Sequence, residues 1–257
     1  MKKETRRSKI LSTFNDIAPF LDNWSVHTRM EILAFLAGVK PAVLPESGVT
    51  STKSVLKALR SCGIDASISA RMLMSPERIL ARVTSEPELA RYAGWNSSLS
   101  PERNALEAWQ YGSTKGGRES SALTGFLLGF PGSAIRDFDR LMAIEAPLLV
   151  NIRPDDGWEK SDIICLEVFQ RQLREPGANE LTWSRLHARE ETRKIYARYF
   201  GLPDEDFSFF ALWHGVRIPG PGGDPAYAFC MSGDGVEPPD VRRLRGDVSE
   251  GFREAGF

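Results

Sequence analysis

Apolar residues recur at helical spacing through the first half of the chain. This spacing predicts two early helices, one that follows Ser25 and ends near Gly38 and a second that ends near Gly63. Glycine is expected at such ends because it readily adopts the left-handed backbone conformation that closes a helix. The apolar positions that define the two helices are Ile32, Leu33, Phe35 and Leu36, followed by Val55, Leu56, Leu59 and Cys62.

The tetrapeptide Ser-Pro-Glu-Arg occurs twice, at residues 75–78 and 100–103. Each copy places a serine where its hydroxyl can cap a helix, a proline at the first helical position and a glutamate near the positive helix end. We therefore predict that both copies open helices capped by their serines. A later helix is predicted to end near Gly129, and Ser133 is predicted to cap the one after it.

From residue 147 onward the pattern changes to short apolar runs. Residues 148–152, bounded by prolines, predict a strand, whereas residues 163–169 fit either a strand or the start of a helix. A clear apolar stripe predicts a helix over residues 182–200. The second half is therefore expected to mix strands and helices.

A hairpin is predicted near the end of the chain. Residues 207–218 and 226–232 resemble strands, and the segment between them is rich in proline and glycine. From Pro238 onward we expect a short helix or a loosely held tail. The predicted fold class is therefore α+β, with a mainly helical N-terminal half of short capped helices and a smaller mixed C-terminal part with a β-hairpin.

The change of pattern predicts a helical region over residues 1–145 and a mixed α/β region over residues 146–257. No long linker separates these halves, so one continuous domain is the alternative. The composition is that of an ordinary globular protein, with 42% hydrophobic and 26% charged residues and a net charge of −1. It excludes collagen-like and disordered chains, and it gives no overall attraction to nucleic acid or anionic membranes.

The cysteines indicate a reducing compartment. Cys62, Cys165 and Cys230 are odd in number and widely spaced, without a C-x-x-C motif, so we expect free thiols and a cytoplasmic protein. We also expect no signal peptide and no membrane-spanning segment. The three histidines lack metal-ligand spacing, and we expect no metal and no cofactor.

The predicted hairpin generates the first candidate site. If the loop is symmetric, Pro219 lies opposite Pro225, and the numbers of any two opposite residues add up to 444. His214 then lies opposite Cys230. An imidazole beside a thiol can form a catalytic dyad. The alternative is a structural pair in an apolar core, which we favour because alternation places both residues on apolar faces.

The predicted helix over residues 182–200 carries the second candidate site. Its arginines recur every four residues beside a tyrosine, a geometry suited to phosphate or carboxylate binding. The alternative is a solvated or interdomain face balanced by nearby acidic residues. The residues of this candidate anion site are Arg185, Arg189, Arg193 and Tyr196.

The third candidate is a nucleic-acid site. Residues 29–36 and 50–64 resemble the first and recognition helices of winged-helix regulators, and the resemblance implies that Lys53, Lys57 and Arg60 contact phosphates. The segment between them departs from that family, because its prolines and glycine leave no room for a middle helix. Short amphipathic helices of a bundle are the alternative interpretation.

Three classes of function remain. We favour a non-catalytic binding or regulatory protein whose partner is a small molecule or another protein, without a membrane. The alternatives are a regulator that binds nucleic acid through residues 53–60, although composition disfavours such a partner, and an enzyme with a dispersed site near His214 and Cys230.

The hairpin pair is testable by alkylation. If His214 and Cys230 form a structural pair, iodoacetamide should label native Cys230 no faster than Cys62 or Cys165 at neutral pH. Mass spectrometry of the labelled peptides measures the three rates. Fast labelling of Cys230 that disappears in His214→Ala would instead indicate a reactive dyad.

Overall fold

Helices dominate the part of the chain that the structure describes. The structure is a computed structural model, and it describes residues 5–20, 26–44, 52–61, 63–69, 71–114, 118–140, 213–232 and 236–257. Small antiparallel sheets, including a hairpin, accompany the helices, which confirms the predicted α+β class. The helices are α1 (Arg6–Ile17), α2 (Val26–Ala37), α3 (Thr52–Ser61), α4 (Pro76–Ser85), α5 (Pro87–Tyr92), α6 (Pro101–Thr114), α7 (Arg118–Leu127), α8 (described over 132–140) and α9 (Pro239–Glu254).

The chain divides into two compact units. Unit 1 combines Met1–Ile135, Arg217–Ala228 and Pro238–Phe257, and unit 2 combines Arg136–Val216 and Phe229–Glu237. The predicted boundary near residue 145 stays a prediction. Unit 1 contains most of the described residues and both of the hydrophobic clusters named below.

The glycines that were predicted to end helices do so. Gly38, Gly63 and Gly129 all have positive φ angles. At each of these ends a backbone N–H bonds to the carbonyl five residues earlier, which satisfies a carbonyl that the helix itself leaves free. These bonds join Val39 to Ala34, Ile64 to Leu59 and Phe130 to Gly125, at 2.8, 3.0 and 2.9 Å.

The two Ser-Pro-Glu-Arg segments both open helices, but only one serine caps as predicted. The Ser100 hydroxyl accepts from the Arg103 N–H at 3.3 Å. Ser75 makes no side-chain cap bond, so that part of the prediction is wrong. It directly follows a strand, and its buried backbone N–H bonds to the Pro41 carbonyl at 2.9 Å, which prolongs strand pairing up to the helix.

A second capping prediction is also corrected. Ser133 lies inside α8, which is already helical at Gly132. Asp240, at the start of α9, supplies the cap instead: its carboxylate accepts from the Ser133 N–H at 2.7 Å and binds the Ser133 hydroxyl at 2.9 Å. A carboxylate suits this position because the N-terminus of a helix carries partial positive charge.

A three-stranded antiparallel sheet lies in unit 1. Its strands are β1 (Ala42–Val43), β2 (Ser67–Ser69) and β3 (Met72–Met74), in the order β1-β3-β2. The central strand β3 is buried throughout. The register pairs Ala42 with Met74 on one side of β3 and Ser67 with Met74 on the other.

The predicted hairpin is present as β4 (Trp213–Pro219) and β5 (Pro225–Ser232). In unit 2, the Ser232 N–H bonds to the Asp137 carboxylate at 2.8 Å. After the hairpin, α9 is a helix of 16 residues with buried Val241, Val248 and Phe252, so the helix was the correct alternative for this segment. The predictions for residues 148–152, 163–169 and 182–200 lie outside the described residues.

The core of unit 1 forms around α4, α6 and α7. One cluster joins the sheet to these helices, and a second joins α5 to α7 and the start of α8. Several members are alanines, which allow close approach of helices. The first cluster contains Ala42, Met72, Met74, Ile79, Ala105, Ala108, Leu123 and Leu127, and the second contains Leu89, Ala90, Ala93, Ala122, Phe126 and Ile135.

Two arginines on α4 bind the carbonyl ends of two other helices. Arg82 donates to Phe126 O at 2.8 Å and Phe130 O at 2.5 Å, at the end of α7. Arg78 donates to Phe35 O at 2.6 Å and to Lys40 O at 3.1 Å, at the end of α2. Cations stabilise helix C-termini because the free carbonyls there carry partial negative charge. Helix α4 therefore joins α2 to α7.

A buried lysine links α2 to the hairpin. Lys40 is fully buried and forms an ion pair with Glu31. Its ammonium lies 4.4 Å from the Tyr227 ring centroid and 5.8 Å from that of Phe130. The Tyr227 hydroxyl donates to Val39 O at 3.1 Å. Burial lowers the pKa of Lys40, while Glu31 acts in the opposite direction.

Gly129 occupies a position that only glycine fits. Its φ is +85°, and a Cβ there would lie 2.7 Å from Pro41 Cδ and 2.8 Å from the Tyr227 hydroxyl. We predict that Gly129→Ala lowers the free energy of unfolding by about 2 to 4 kcal/mol through backbone strain and crowding. Gly222→Ala is the matched control, since Gly222 has the same φ but no atom within 4 Å of that Cβ. It should cost about 1 kcal/mol in urea unfolding, and equal losses would contradict crowding at Gly129.

The buried ion pair gives a second prediction. Lys40→Met should cost about 3 to 5 kcal/mol because it removes the cation of a buried ion pair. The double variant Glu31→Gln, Lys40→Met should recover part of that loss. Lys57→Met, at an exposed position of α3, is the control and should change stability by less than about 0.5 kcal/mol. Urea unfolding measures the free energy of unfolding of Glu31→Gln, of Lys40→Met and of the double variant. If the loss in the double variant equals the sum of the losses in the two single variants, the two residues do not interact.

Candidate nucleic-acid interface

Helix α3 presents three cations to solvent. Lys53, Lys57 and Arg60 are all exposed. Their spacing of four and three residues places them along one side of the helix. Helix α3 contains no acidic residue, so nothing within the helix neutralises this basic face.

The opposite side of α3 is anchored in the core. Val55 and Leu59 are fully buried, and α3 packs against α1. The helix ends at Ser61 with Gly63 beyond it. Burial of two aliphatic side chains contributes roughly 1.5 to 3 kcal/mol each, so the basic face is held in a fixed orientation.

In the order of the chain, strand β1 precedes α3, and the β2–β3 hairpin follows it. Two residues, 70 and 71, connect β2 to β3. Arg71 is exposed before β3 and has a φ of +71°, in the left-handed region that non-glycine residues adopt mainly in turns. Its guanidinium lies 5.7 Å from the Trp109 ring centroid. The Ser69 hydroxyl bonds to Glu102 O at 2.8 Å and ties the hairpin to α6.

The region from α3 to β3 is locally basic although the whole chain is not. Residues 52–74 contain four lysines and arginines and one acidic residue, Asp65. The net charge of the whole chain is −1. Partners that bind this region would therefore be recognised through a local patch rather than through the overall charge.

The other two candidate sites are not described at the level of side chains. His214 lies in β4 and Cys230 in β5, but their side chains lie outside the described part. At the loop, Gly220 N bonds to Asp224 O at 2.7 Å, which is the closing bond that a symmetric loop requires. The candidate anion site of Arg185, Arg189, Arg193 and Tyr196 lies outside the described residues, as does the segment 45–51 where the middle helix was excluded.

Sequence reasoning missed a convergence of two arginines. Arg6 Nη2 and Arg78 Nη2 lie 3.7 and 3.8 Å from the position that a Cβ of Gly38 would occupy. Arg6 donates to Ala37 O at 3.1 Å, also at the end of α2. The two arginines are 72 residues apart in the chain, so no local motif could have indicated this pair.

The described residues contain no group of three or more potential metal-ligating side chains. None of the helices found among them has the length and apolar character needed to cross a bilayer.

Comparisons with known proteins give no relative. The sequence matches no protein-family model, no curated protein and no solved structure.

Proposed function

We propose that this protein binds duplex DNA through helix α3, as a non-catalytic regulator. The observation that carries the proposal is the arrangement of α3: its apolar face is buried and its three cations face solvent. The major groove of B-DNA admits an α-helix, and lysine and arginine side chains at its edge bind phosphates.

The succession of elements supports this assignment. Helix α2 leads into β1, α3 follows, and the β2–β3 hairpin closes an antiparallel sheet in the order β1-β3-β2. Winged-helix regulators, which residues 29–36 and 50–64 resemble in sequence, also place the recognition helix before a hairpin. The chain departs from that family before α3, where two prolines and a glycine leave no room for a middle helix. The sequence resemblance and the sheet order are independent observations.

An ordinary solvated helix face is the competing interpretation. Exposed lysines and arginines are common on helices that bind nothing. The absence of acidic residues from α3 argues against it, because solvated faces usually alternate charges of both signs. Arg71 at the hairpin adds a further exposed cation.

Fluorescence anisotropy with a labelled duplex of 25 to 30 base pairs tests the proposal. We expect sub-micromolar binding at low salt that weakens steeply as salt increases, because counterions are released from DNA. Lys53→Gln, Lys57→Gln should reduce the affinity about tenfold or more and lower the slope of log K against log salt by about 2.

The matched control removes two cations elsewhere. Arg91 and Arg103 are exposed on α5 and α6, and Arg91→Gln, Arg103→Gln changes the net charge equally. This control should bind the duplex as the unchanged protein does. An equal loss in both variants would indicate a general charge effect. Competition by duplex RNA as effective as that by DNA would contradict insertion of a helix, since the RNA major groove is too narrow.

A further inference from the structure

A cavity of about 410 Å³ lies in unit 1, away from α3. This volume is within the range of small-molecule sites. Its walls come from the end of α2, from α4, from the segments after α7, from β5 and from α9. They combine apolar residues with three arginines and three carboxylates. Of the carboxylates, Glu86 is paired with Arg82 and Asp240 binds Ser133. The apolar wall residues include Val39, Pro41, Leu89 and Leu244, and the charged ones are Arg78, Arg82, Arg243, Glu86, Asp240 and Asp247.

Arg78 brings an unneutralised charge to this cavity. Arg82, four residues later, forms an ion pair with Glu86 at 3.0 Å. Among the described residues, no carboxylate lies within ion-pair distance of Arg78. Its hydrogen bonds to Phe35 O and Lys40 O both use Nη1, so Nη2 and Nε have no acceptor in the described part of the protein. Partial burial lowers the pKa of Arg78, the neighbouring Glu77 and Tyr227 act in the opposite direction, and the charge of Arg6 lowers it further.

Arg6 places a second guanidinium at the same point. Its Nη2 and that of Arg78 converge beside Gly38, a residue of the cavity wall. Arg6 is exposed and donates to Glu254 O at 3.5 Å and to Ala37 O at 3.1 Å, whereas Arg78 is half-buried. Like charges that lie close together repel. Two convergent guanidiniums without a carboxylate between them therefore form a site that an anion would stabilise.

We propose that this cavity binds a small organic anion, with its carboxylate or phosphate group between Arg6 and Arg78 at Gly38. A planar guanidinium with free N–H donors binds the oxygens of either group in a bidentate manner. Val39, Pro41 and the other apolar wall residues accommodate a short hydrocarbon portion. The site shares no residue with α3, so it does not depend on DNA binding.

Three ligands that each contain four carbon atoms test the proposal: butyrate, butyl phosphate and butanol. In isothermal titration calorimetry at constant ionic strength, we expect saturable one-site binding of butyrate or butyl phosphate and none of butanol. The preferred anion identifies carboxylate or phosphate as the natural group. Saturable binding of neither anion, or equal binding of butanol, would overturn the proposal.

Variants locate the site. Arg78→Gln and Arg6→Gln should each weaken binding about tenfold or more, because each removes charge-assisted hydrogen bonds. The control is Arg242→Gln on α9, an exposed residue outside the cavity wall, and it should bind normally. A loss in the control equal to that in Arg78→Gln would contradict the site.

Arg78 also contributes to folding through its bonds to α2, so a second measurement uses the unchanged protein. Phenylglyoxal modifies accessible guanidiniums, and peptide mass spectrometry gives the labelling rate of each arginine. The bound anion should protect Arg78 and Arg6 but not Arg242. Unchanged labelling of Arg78 under saturating ligand would place the ligand elsewhere.

Discussion

The packing of helices in unit 1 depends on the hydrogen bonds made by the carbonyl groups at the C-terminal ends of α2 and α7. A helix leaves its last carbonyls without partners, and burying them requires donors from elsewhere. Gly38 N and Gly129 N bond to Phe35 O and Phe126 O at 3.1 Å, and Arg78 and Arg82 add charged donors to these carbonyls and to those of Lys40 and Phe130. A neutral hydrogen bond contributes about 1 kcal/mol, and a charged donor contributes more. These bonds fix the relative positions of three helices at one place.

The same place connects the cavity wall to the three-stranded sheet. The Pro41 carbonyl, just after α2, accepts from the Ser75 N–H, just before α4. Strands β1 and β3 continue from these two residues, and β3 is buried in the core. One backbone hydrogen bond therefore joins the segment after α2 to the segment before α4, next to the paired strands β1 and β3.

The features that could be predicted from the sequence are those determined by residues close together in the chain. The glycines at 38, 63 and 129, the Ser100 cap and the hairpin loop all depend on a few neighbouring residues, and they were predicted correctly. The exposure of Lys53, Lys57 and Arg60 also follows from helical spacing, once Val55 and Leu59 are recognised as the buried side.

Long-range pairings could not be predicted in this way. The Ser133 cap comes from Asp240, 107 residues away, and Lys40 meets Tyr227 through the fold alone. Strands β1 to β3 have two or three residues each, too few for a period of two to be visible. Ser75 failed as a cap because the adjacent strand, invisible in the sequence, determines its position.

The position of Tyr227 in the chain has a consequence for protein synthesis. Lys40, Val39 and Gly129 all leave the ribosome well before Tyr227, which covers them from β5. At roughly 5 to 20 residues per second, the interval between residues 129 and 227 lasts from about 5 to 20 s. Helices α1 to α7 can form during this time, but the Lys40 ammonium stays without the Tyr227 ring above it. Unit 1 is therefore completed only after β5 and α9 have left the ribosome, because both lie about 100 residues or more after α7 in the chain.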